Sequence, residues 1–418
     1  MKYLIIGNSV AGINAATAIR QNDTDGEILI VSDEQTRPYS RPLLPNWVIG
    51  EVSFSQERMF YRGNDFFEKN NIETLLGKKV ESIDTKAKIV SISNSESLSY
   101  DKLIIASGAS AILPKNIVGI ELNGVYTLTN IKGARKLKED LDNINSIVIV
   151  GAGLIGTKMA FDLSKIGKKV VLVELAKRVL FPALDDYAAE LVQAELKKNG
   201  VEIILNDSVV QLNGDNKVSE VVLASNKKIP CDACLLSVGV VPNTTFVDEN
   251  IRVDRGIVVD DYLKACDDCY AAGDVASVYD VVVNIRRPIP ILPLAAKEGF
   301  IAGLNASGSL IKFNGGFAMN SIEIGNVGFI SMGLIESDDD EVLEYKKNTE
   351  YRKFIIRDNR LIGVILVNNV EKAGMFNWMI EKAFDVSWIK DTFLNSDFGW
   401  KYFDKAFRVL RLDRKLKG

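Results

Sequence analysis

Histidine is absent from this chain of 418 residues. The chain therefore lacks the side chain most suited to proton transfer near neutral pH, to activation of serine or cysteine, and to nitrogen ligation of metals. No apolar run approaches the roughly 20 residues of a membrane-spanning helix, and the chain opens on an apolar strand without a charged-then-apolar leader. The formal net charge of -4 gives no reason to expect nucleic acid or a membrane surface as a ligand. These absences predict a soluble, cytoplasmic protein whose chemistry resides in a cofactor or in carboxylates.

Cysteine is also scarce, and all four cysteines lie in two Cys-x-x-Cys pairs, Cys231/Cys234 and Cys266/Cys269. Structural disulfides are not expected in a cytosolic setting. The two pairs could form a four-thiolate zinc or iron–sulfur site. However, Cys234 and Cys269 open apolar segments typical of buried strands, and the interval between the pairs exceeds that of compact zinc ribbons. We favour packing roles with no metal, and a redox or metal role stays open.

Two glycine loops of the same type are the main positive feature of the sequence. Residues 7–12 read Gly-Asn-Ser-Val-Ala-Gly and residues 151–156 read Gly-Ala-Gly-Leu-Ile-Gly. Each loop follows a short apolar run and precedes helical sequence, which predicts a strand-to-helix turn whose backbone N–H groups and helix dipole can hold a pyrophosphate. Two such loops in matching contexts indicate two bound dinucleotides. The residues assigned to the two phosphate cradles are Gly7, Ser9, Val10, Ala11 and Gly12, and Gly151, Gly153, Leu154, Ile155 and Gly156.

An acidic residue follows the second predicted strand of each unit. Asp33 comes about twenty residues after the first loop, where a carboxylate can accept hydrogen bonds from the ribose hydroxyls of an adenine dinucleotide. Glu174 holds the corresponding place in the second unit. Its charge favours a free 2′-hydroxyl and repels a 2′-phosphate, which predicts NADH over NADPH.

Other apolar strands end at glycines, where a backbone can approach a ligand closely. The residues assigned to ligand contact at these ends are Ser107 and Gly108, Gly239, and Gly273 with Asp274. Asp274 could alternatively be only the N-cap of a helix. Arg41 lies in a proline-broken segment predicted to be a loop, and there it either holds a phosphate or is a solvated charge.

Taken in order, these landmarks resemble the FAD- and NAD(P)H-dependent pyridine-nucleotide oxidoreductases over essentially the whole chain. The matching segments are 7–12, 38–42, 106–108, 151–156, 239–243 and 272–275. Residues 39–45 and 370–374 look most like NADH:rubredoxin reductases and the flavoprotein part of NAD(P)H nitrite reductases. The resemblance implies that the first loop, Asp33, Arg41 and Asp274 hold FAD, and that the second loop and Glu174 hold NADH.

Three positions depart from the pattern of these families. Ser9 stands where the middle glycine of the first loop is usual, and Lys158 replaces a common glutamate just after the second loop. The Lys158 exchange puts a contact on the nicotinamide side in doubt. Asn46 stands where related ferredoxin reductases carry a flavin-facing lysine, so that role is not transferred.

The resemblance implies an α/β fold of two Rossmann-like dinucleotide-binding domains, of the glutathione-reductase-like FAD/NAD(P) type, with a small C-terminal α+β domain. The expected FAD-binding domain is discontinuous (1–111 and 243–318), and it encloses an NADH-binding domain (112–242). The C-terminal domain (319–418) is expected to contain strands over 321–331, 350–357 and 361–368 and helices over 373–384 and 400–416. The basic segment 401–417 is either a surface helix or a docking helix for an acidic partner.

The resemblance also implies a reaction without a catalytic acid or base. Hydride would pass from NADH to FAD, and single electrons would then pass to a small redox protein, rubredoxin or a ferredoxin-type iron–sulfur protein. The chain could also be the flavoprotein subunit of a larger iron–sulfur complex, and a homo-oligomer is left open. The first 230 residues contain no cysteine, which argues against disulfide reductases and cysteine-dependent NADH oxidases. The alternatives are an oxygen-reducing NADH oxidase and a low-turnover redox sensor resembling apoptosis-inducing-factor-like proteins.

Overall fold

A computed structural model of the chain describes residues 1–405 and Arg408. The described residues divide into two compact units. The first unit consists of Met1–Ala176 and Asn199–Ala318, and the second consists of Lys177–Lys198 with the described residues from Met319 onward. The finer division of the first unit into an FAD-binding and an NADH-binding domain stays a prediction.

Many short strands and a smaller number of helices make up the described residues. The α-helices are α1 (Val10–Asn22), α2 (Leu44–Val48), α3 (Phe66–Lys69), α4 (Ile131–Asp140), α5 (Leu154–Lys165), α6 (Asp186–Lys198), α7 (Leu292–Ala306) and α8 (Ala373–Glu381). Short 3-10 helices cover Arg41–Leu43, Glu57–Met59, Leu141–Asn143, Lys390–Thr392 and Trp400–Tyr402. The strands are β1 (Lys2–Ile6), β2 (Glu27–Ser32), β3 (Ile72–Leu76), β4 (Val80–Asp84), β5 (Ile89–Ile92), β6 (Glu96–Ser99), β7 (Lys102–Ile105), β8 (Ala109–Ala111), β9 (Val125–Thr127), β10 (Ser146–Val150), β11 (Lys169–Val173), β12 (Glu202–Ile204), β13 (Val209–Asn213), β14 (Glu220–Leu223), β15 (Lys228–Pro230), β16 (Ala233–Leu236), β17 (Val240–Pro242), β18 (Val253–Asp254), β19 (Gly256–Val258), β20 (Lys264–Cys266), β21 (Cys269–Ala271), β22 (Ala276–Asp280), β23 (Ile285–Arg287), β24 (Met319–Ile324), β25 (Val327–Gly333), β26 (Glu341–Lys347), β27 (Glu350–Arg357) and β28 (Arg360–Val367).

The first unit contains two largely parallel sheets built on the same plan. Six strands are ordered β20-β21-β7-β1-β2-β3, and five are ordered β12-β11-β10-β16-β9. In each sheet the strand that precedes a glycine loop lies between the next strand of the chain and a much later one: Ile6 of β1 is opposite Val31 and Ile105. Val150 of β10 is likewise opposite Val173 and Leu236. Both glycine loops therefore lie at a topological switch point, where open α/β sheets bind ligands. The predicted α/β class with two Rossmann-like folds is confirmed.

The parallel strands lack polar alternation because both faces of each sheet are covered. Leu4, Ile5, Ile104 and Ile105 of the first sheet are at most 1% exposed. Helices α1 and α7 pack closely against each other beside this sheet: a Cβ added to Gly299 of α7 would lie 2.1 Å from the Ala11 carbonyl oxygen. The start of α1 is therefore held by α7 as well as by the sheet.

The segment from Arg41 to Val48 differs from the predicted loop. It forms a 3-10 helix (Arg41–Leu43) followed by α2. Pro42 and Pro45 stand in the first turns of these two elements, where the missing N–H is not needed, so proline starts these short helices rather than preventing them.

The second unit is an antiparallel sheet, ordered β24-β25-β28-β27-β26, with helices α6 and α8. The predicted C-terminal α+β domain is confirmed, with two differences in detail. The strand expected over 321–331 turns at Gly325 into the pair β24 and β25. Strand β26 was not predicted, because an edge strand of sequence Glu-Val-Leu-Glu-Tyr-Lys-Lys has little apolar alternation.

Residues 177–198 belong to the second unit through a buried polar cluster. Asp185, which precedes α6, accepts a hydrogen bond from the Tyr351 hydroxyl, and its carboxylate lies 3.0 Å from the Lys353 ammonium group. All three residues are less than 10% exposed. This cluster ties the segment to β27, a contact that periodicity along the chain does not reveal.

Most of the basic segment 401–417 lies outside the described residues. Within them, Trp400–Tyr402 forms a 3-10 helix and Phe403 is buried. None of the helices in the described residues has the length and apolar character needed to cross a bilayer.

Candidate functional site

The first glycine loop makes a turn that only glycine can form at two positions. Gly7 has a φ of +115°, and its N–H donates to the Val31 carbonyl at 2.8 Å. A Cβ on Gly7 would lie 2.1 Å from the Ala106 carbonyl oxygen, and one on Gly12 would lie 1.9 Å from the Gly7 carbonyl oxygen. The loop is therefore fixed by backbone packing on β2 and on the end of β7.

Helix α1 opens directly from this loop with its N-terminal donors available. Ser9 is the N-cap in an extended conformation, and among the described residues no side chain caps the helix. Val10 and Ala11 begin the helix, whose first turn carries no acidic residue. Free N–H groups and the positive end of the helix dipole make this terminus suitable for a pyrophosphate.

The second loop repeats this geometry. Gly151 has a φ of +96°, and its N–H donates to the Val173 carbonyl at 2.8 Å. A Cβ on Gly156 would lie 1.9 Å from the Gly151 carbonyl oxygen. Apart from Gly153 itself and its two chain neighbours, no heavy atom of the described chain would lie within 4 Å of a Cβ on Gly153. Gly153 is thus free of steric constraint from the protein and is the N-cap of α5, which begins with Leu154 and Ile155.

Glu174 lies against the second loop. One carboxylate oxygen accepts the Ala152 N–H at 2.6 Å, and the other accepts the Ala176 N–H at 2.8 Å. The half-buried carboxylate thus stands at the edge of the phosphate cradle, where the sequence predicts a ribose contact.

Asp33 lies one residue beyond the position that corresponds to Glu174. The hydrogen bonds from Gly7 to Val31 and from Gly151 to Val173 align the two units, so Ser32 corresponds to Glu174. Asp33 is exposed, and its carboxylate is not held against the loop as that of Glu174 is. Its role toward a ribose stays a prediction.

Arg41 has protein partners, although 38% of its side chain is exposed. Its guanidinium lies 3.0 Å from a carboxylate oxygen of Glu34 and donates to the Thr129 carbonyl. The other Glu34 oxygen accepts the hydroxyl of Tyr39, which in turn accepts the Ile131 N–H at 2.8 Å. Sequence reasoning missed Glu34 and Tyr39, although they stand only seven and two residues before Arg41.

Polar atoms beside the first loop have unused hydrogen-bonding capacity. The Asn8 amide nitrogen donates to the Thr36 carbonyl at 3.1 Å. Within the described part of the chain, Asn8 Oδ1, Thr36 Oγ1 and one terminal nitrogen of Arg37 are buried without a partner. Buried polar atoms of this kind call for a ligand or water, so this region fits the polar end of a dinucleotide.

Asp274 follows β21, and the next element is strand β22, so the proposed N-cap role is wrong. Burial raises the pKa of Asp274, and the positive charge of Arg41 opposes that rise. The preceding Gly273 donates its N–H to Glu298 at 2.7 Å. Glu298 is 1% exposed, and burial raises its pKa well above the ordinary value.

The ends of two further strands meet in the same unit. The Ser107 hydroxyl donates to the Asn243 carbonyl at 2.9 Å, and the Asn243 amide donates back to the Ser107 carbonyl at 2.9 Å. Gly108 and Gly239 adopt positive φ values at either side of the β8–β17 pair. The Ser107 side chain is therefore engaged in joining two chain segments.

The unusual Lys158 is paired within its own helix. It donates to Asp162 one turn later, and burial raises the pKa of Asp162, which is 1% exposed.

The Asn46 amide donates to Glu51 at 2.8 Å. The described residues contain no group of three or more histidine, cysteine, aspartate and glutamate side chains placed to hold a metal ion.

Two glycine loops of one design, each at a switch point of a largely parallel sheet, are typical of dinucleotide-dependent oxidoreductases. The chain belongs to the pyridine nucleotide-disulphide oxidoreductase family, whose model matches residues 1–299. Residues 319–384 match the rubredoxin NAD+ reductase C-terminal domain.

The chain is similar to named reductases over much or all of its length. It is 34% identical over 279 residues to the rubredoxin-NAD(+) reductase of Pseudomonas putida, covering 66% of this chain and 72% of that protein. It is 28% identical over 400 residues to the NADH-rubredoxin oxidoreductase of Clostridium acetobutylicum, covering 94% and 99%. The solved NAD-dependent persulfide reductase of A. fulgidus is 27% identical, with a TM-score of 0.84 over 96% of this chain and 79% of that one.

These matches confirm the predicted family and its chemistry. The chain is an oxidoreductase enzyme that uses FAD and NADH. Which residues hold each cofactor stays a prediction, and the glycine geometry and unpartnered polar atoms fit that assignment.

Glu298→Ala is expected to weaken FAD binding without unfolding the protein. The change leaves the buried Gly273 N–H without an acceptor next to Asp274, which costs about 1–3 kcal/mol of folding stability. The turn before Asp274 should shift as a result, and we expect a loss of about tenfold in FAD affinity. Glu298→Gln keeps an acceptor oxygen and should bind FAD nearly as the wild type does. Titration of apoprotein with FAD measures both, and equal losses in the two variants would contradict this role for Glu298.

Proposed function

We propose that the chain takes a hydride from NADH onto FAD and passes the electrons singly to a small redox protein of the rubredoxin or ferredoxin type. The observation that carries the choice of acceptor is the match of residues 319–384 to the rubredoxin NAD+ reductase C-terminal domain. The free thiols of all four cysteines support a reducing, cytoplasmic location.

FAD, when bound, supplies the ability to accept two electrons together and release them one at a time. The protein's part is to bind and orient. In this proposal Gly7, Ser9 and Gly12 shape the turn that presents the α1 N-terminus to the FAD pyrophosphate, with Val10, Ala11, Ser107 and Gly108 around it. Gly273, Asp274, Arg41 and Asp33 complete that site.

The second cradle is proposed to hold NADH in the same way. Gly151, Gly153, Gly156, Leu154 and Ile155 present the α5 N-terminus, and Gly239 lies at a neighbouring strand end. Glu174 already stands beside Ala152 of the loop. A carboxylate there disfavours a 2′-phosphate, which supports NADH over NADPH.

The positions of the cysteines support an electron-carrier reductase over a disulfide reductase. Cys269 is the first residue of β21, which runs parallel to β7. The first glycine loop lies at the opposite end of these strands. Cys231 and Cys234 belong to the core of the other sheet. These placements put none of the four thiols at the edge where the first cradle lies.

The proposal is tested by anaerobic stopped-flow spectroscopy of the FAD-loaded protein. NADH should reduce the flavin rapidly, and a rubredoxin or a ferredoxin-type protein should then reoxidise it much faster than oxygen does. Reoxidation by oxygen at the rate of the best protein acceptor would indicate an NADH oxidase instead. A long-lived complex of NAD with reduced flavin that no acceptor discharges would indicate a redox sensor.

A further inference from the structure

Cys266 and Cys269 face each other across a tight hairpin. Strands β20 and β21 pair antiparallel, and Cys266 lies directly opposite Cys269. Asp267 and Asp268 form the two-residue turn between them, with Asp268 in the left-handed region at a φ of +60°. Opposed residues in such a pair have Cα atoms about 4.5–5.5 Å apart. That spacing falls within the roughly 4.4–6.8 Å that a disulfide requires.

The two thiols differ in access and in acidity. Cys266 is half-buried, whereas Cys269 is fully buried and its sulfur lies 3.7 Å from the Tyr100 hydroxyl. The hydrogen bond from the Cys269 thiol lowers the pKa of Cys266, against the effects of burial and of the acids Asp248 and Asp267. The same hydrogen bond and burial raise the pKa of Cys269. Cys266 is therefore the more acidic and the more accessible of the two thiols, and the thiolate is the reactive form of cysteine.

The other Cys-x-x-Cys pair has none of these properties. Cys234 is fully buried, and its neighbours across the sheet are Val148 and Val125, not another cysteine. Cys231 is 5% exposed, and burial raises its pKa to about 11. The Cys-x-x-Cys motif thus occurs once as a cross-strand pair at a half-buried turn and once in a hydrophobic core. The core pair, Cys231/Cys234, serves as an internal control for the reactivity of Cys266/Cys269.

We propose that Cys266 and Cys269 are a peroxide-sensitive dithiol that converts reversibly to an intramolecular disulfide. The Cys266 thiolate attacks an oxygen of hydrogen peroxide, the O–O bond breaks, and a sulfenic acid and hydroxide form. The Cys269 thiol then attacks the Cys266 sulfur, which forms the S–S bond and releases water. Two electrons pass from the thiols to peroxide, and a low-molecular-weight thiol returns them as it is oxidised to its own disulfide.

The disulfide would leave the fold and the cofactor sites in place. It closes only the two-residue turn, and the stabilisation that a cross-link gives through chain entropy is smallest for short loops. The dithiol also precedes β21, whereas Gly273 and Asp274 follow it. The modification is thus distinct from the electron transfer proposed above and does not depend on it.

The test uses the FAD-loaded full chain and peptide mass spectrometry. Trypsin cleaves after Lys264 and Arg286, and after Lys228 and Arg252, so each dithiol falls in its own peptide, 265–286 or 229–252. After peroxide treatment and alkylation of the denatured protein, peptide 265–286 should have lost two hydrogens and resist alkylation until dithiothreitol is added. Peptide 229–252 should be oxidised at least about tenfold more slowly, since its thiols are buried.

Three variants decide the mechanism. Cys269→Ser should accumulate a sulfenic acid on Cys266 that dimedone traps, and Cys266→Ser should leave Cys269 unoxidised. The double variant Cys231→Ser/Cys234→Ser should form the disulfide at the wild-type rate. Equal oxidation of both peptides, no oxidation of 265–286, or a Cys269→Ser variant that dimedone does not label would overturn the proposal.

Discussion

Gly156→Ala is expected to weaken NADH binding by roughly a hundredfold or more, whereas Gly153→Ala leaves the loop intact and weakens NADH binding only moderately. A methyl group on Gly156 would lie 1.9 Å from the Gly151 carbonyl oxygen, so the turn that aims the α5 N-terminus has to open. Beyond Gly153 and its two chain neighbours, no heavy atom of the described chain lies within 4 Å of a methyl group on Gly153. In the proposed site, that methyl group would face the pyrophosphate of NADH.

The two variants are compared by the NADH dependence of flavin reduction and by thermal unfolding. For Gly156→Ala we expect a loss of affinity of roughly a hundredfold or more, because overpacking against the backbone costs about 1–3 kcal/mol or more. For Gly153→Ala we expect about tenfold and an unchanged unfolding temperature. Gly153→Ser reproduces the residue that the first loop carries as Ser9 and should behave like Gly153→Ala. Destabilisation of Gly153→Ala to the level of Gly156→Ala would refute the distinction.

Gly299→Val is expected to release FAD and destabilise the first unit. Even a Cβ on Gly299 would lie 2.1 Å from the Ala11 carbonyl oxygen, in the first turn of α1. A larger side chain forces α1 away from α7 and displaces the helix terminus proposed to hold the FAD pyrophosphate. Such overpacking costs about 1–3 kcal/mol or more, and it should appear in denaturant unfolding and in the flavin content of the purified protein.

A glycine in another helix serves as the control for this experiment. Gly374 lies in α8, and an added Cβ there would have no heavy atom of the described chain within 4 Å beyond its chain neighbours and the backbone of its own helix. Gly374→Ala should therefore keep its FAD and gain up to about 1 kcal/mol of helix stability. A Gly299→Val variant that retains as much flavin as the wild type would contradict the idea that the contact between α1 and α7 positions the first glycine loop.

The sequence reveals features whose cause is local. The glycine loops, the strands before them and the helices after them follow from residues adjacent in the chain, and the structure has α1 and α5 where the loops predict them. The position of Glu174 beside the second glycine loop also follows from the local sequence, because only α5 and β11 lie between the loop and Glu174. The C-terminal strands β27 and β28 are likewise marked by their own apolar residues.

What the sequence does not reveal depends on contacts between distant segments. Glu298 is a single acid in an apolar helix, and its value as an acceptor for Gly273 arises only when α7 packs beside β21. The contrast between the two Cys-x-x-Cys pairs is of the same kind. The spacing is identical in the two pairs, but strand register places Cys266 opposite Cys269 and places Cys234 opposite Val148 in the core.

Strand β21 spans three residues, about 10 Å of extended chain. The proposed dithiol lies at its start, and the residues proposed to bind phosphate follow its end. Under the dithiol proposal, an oxidant would mark an enzyme molecule at one end of β21 without altering the residues proposed for phosphate binding at the other end.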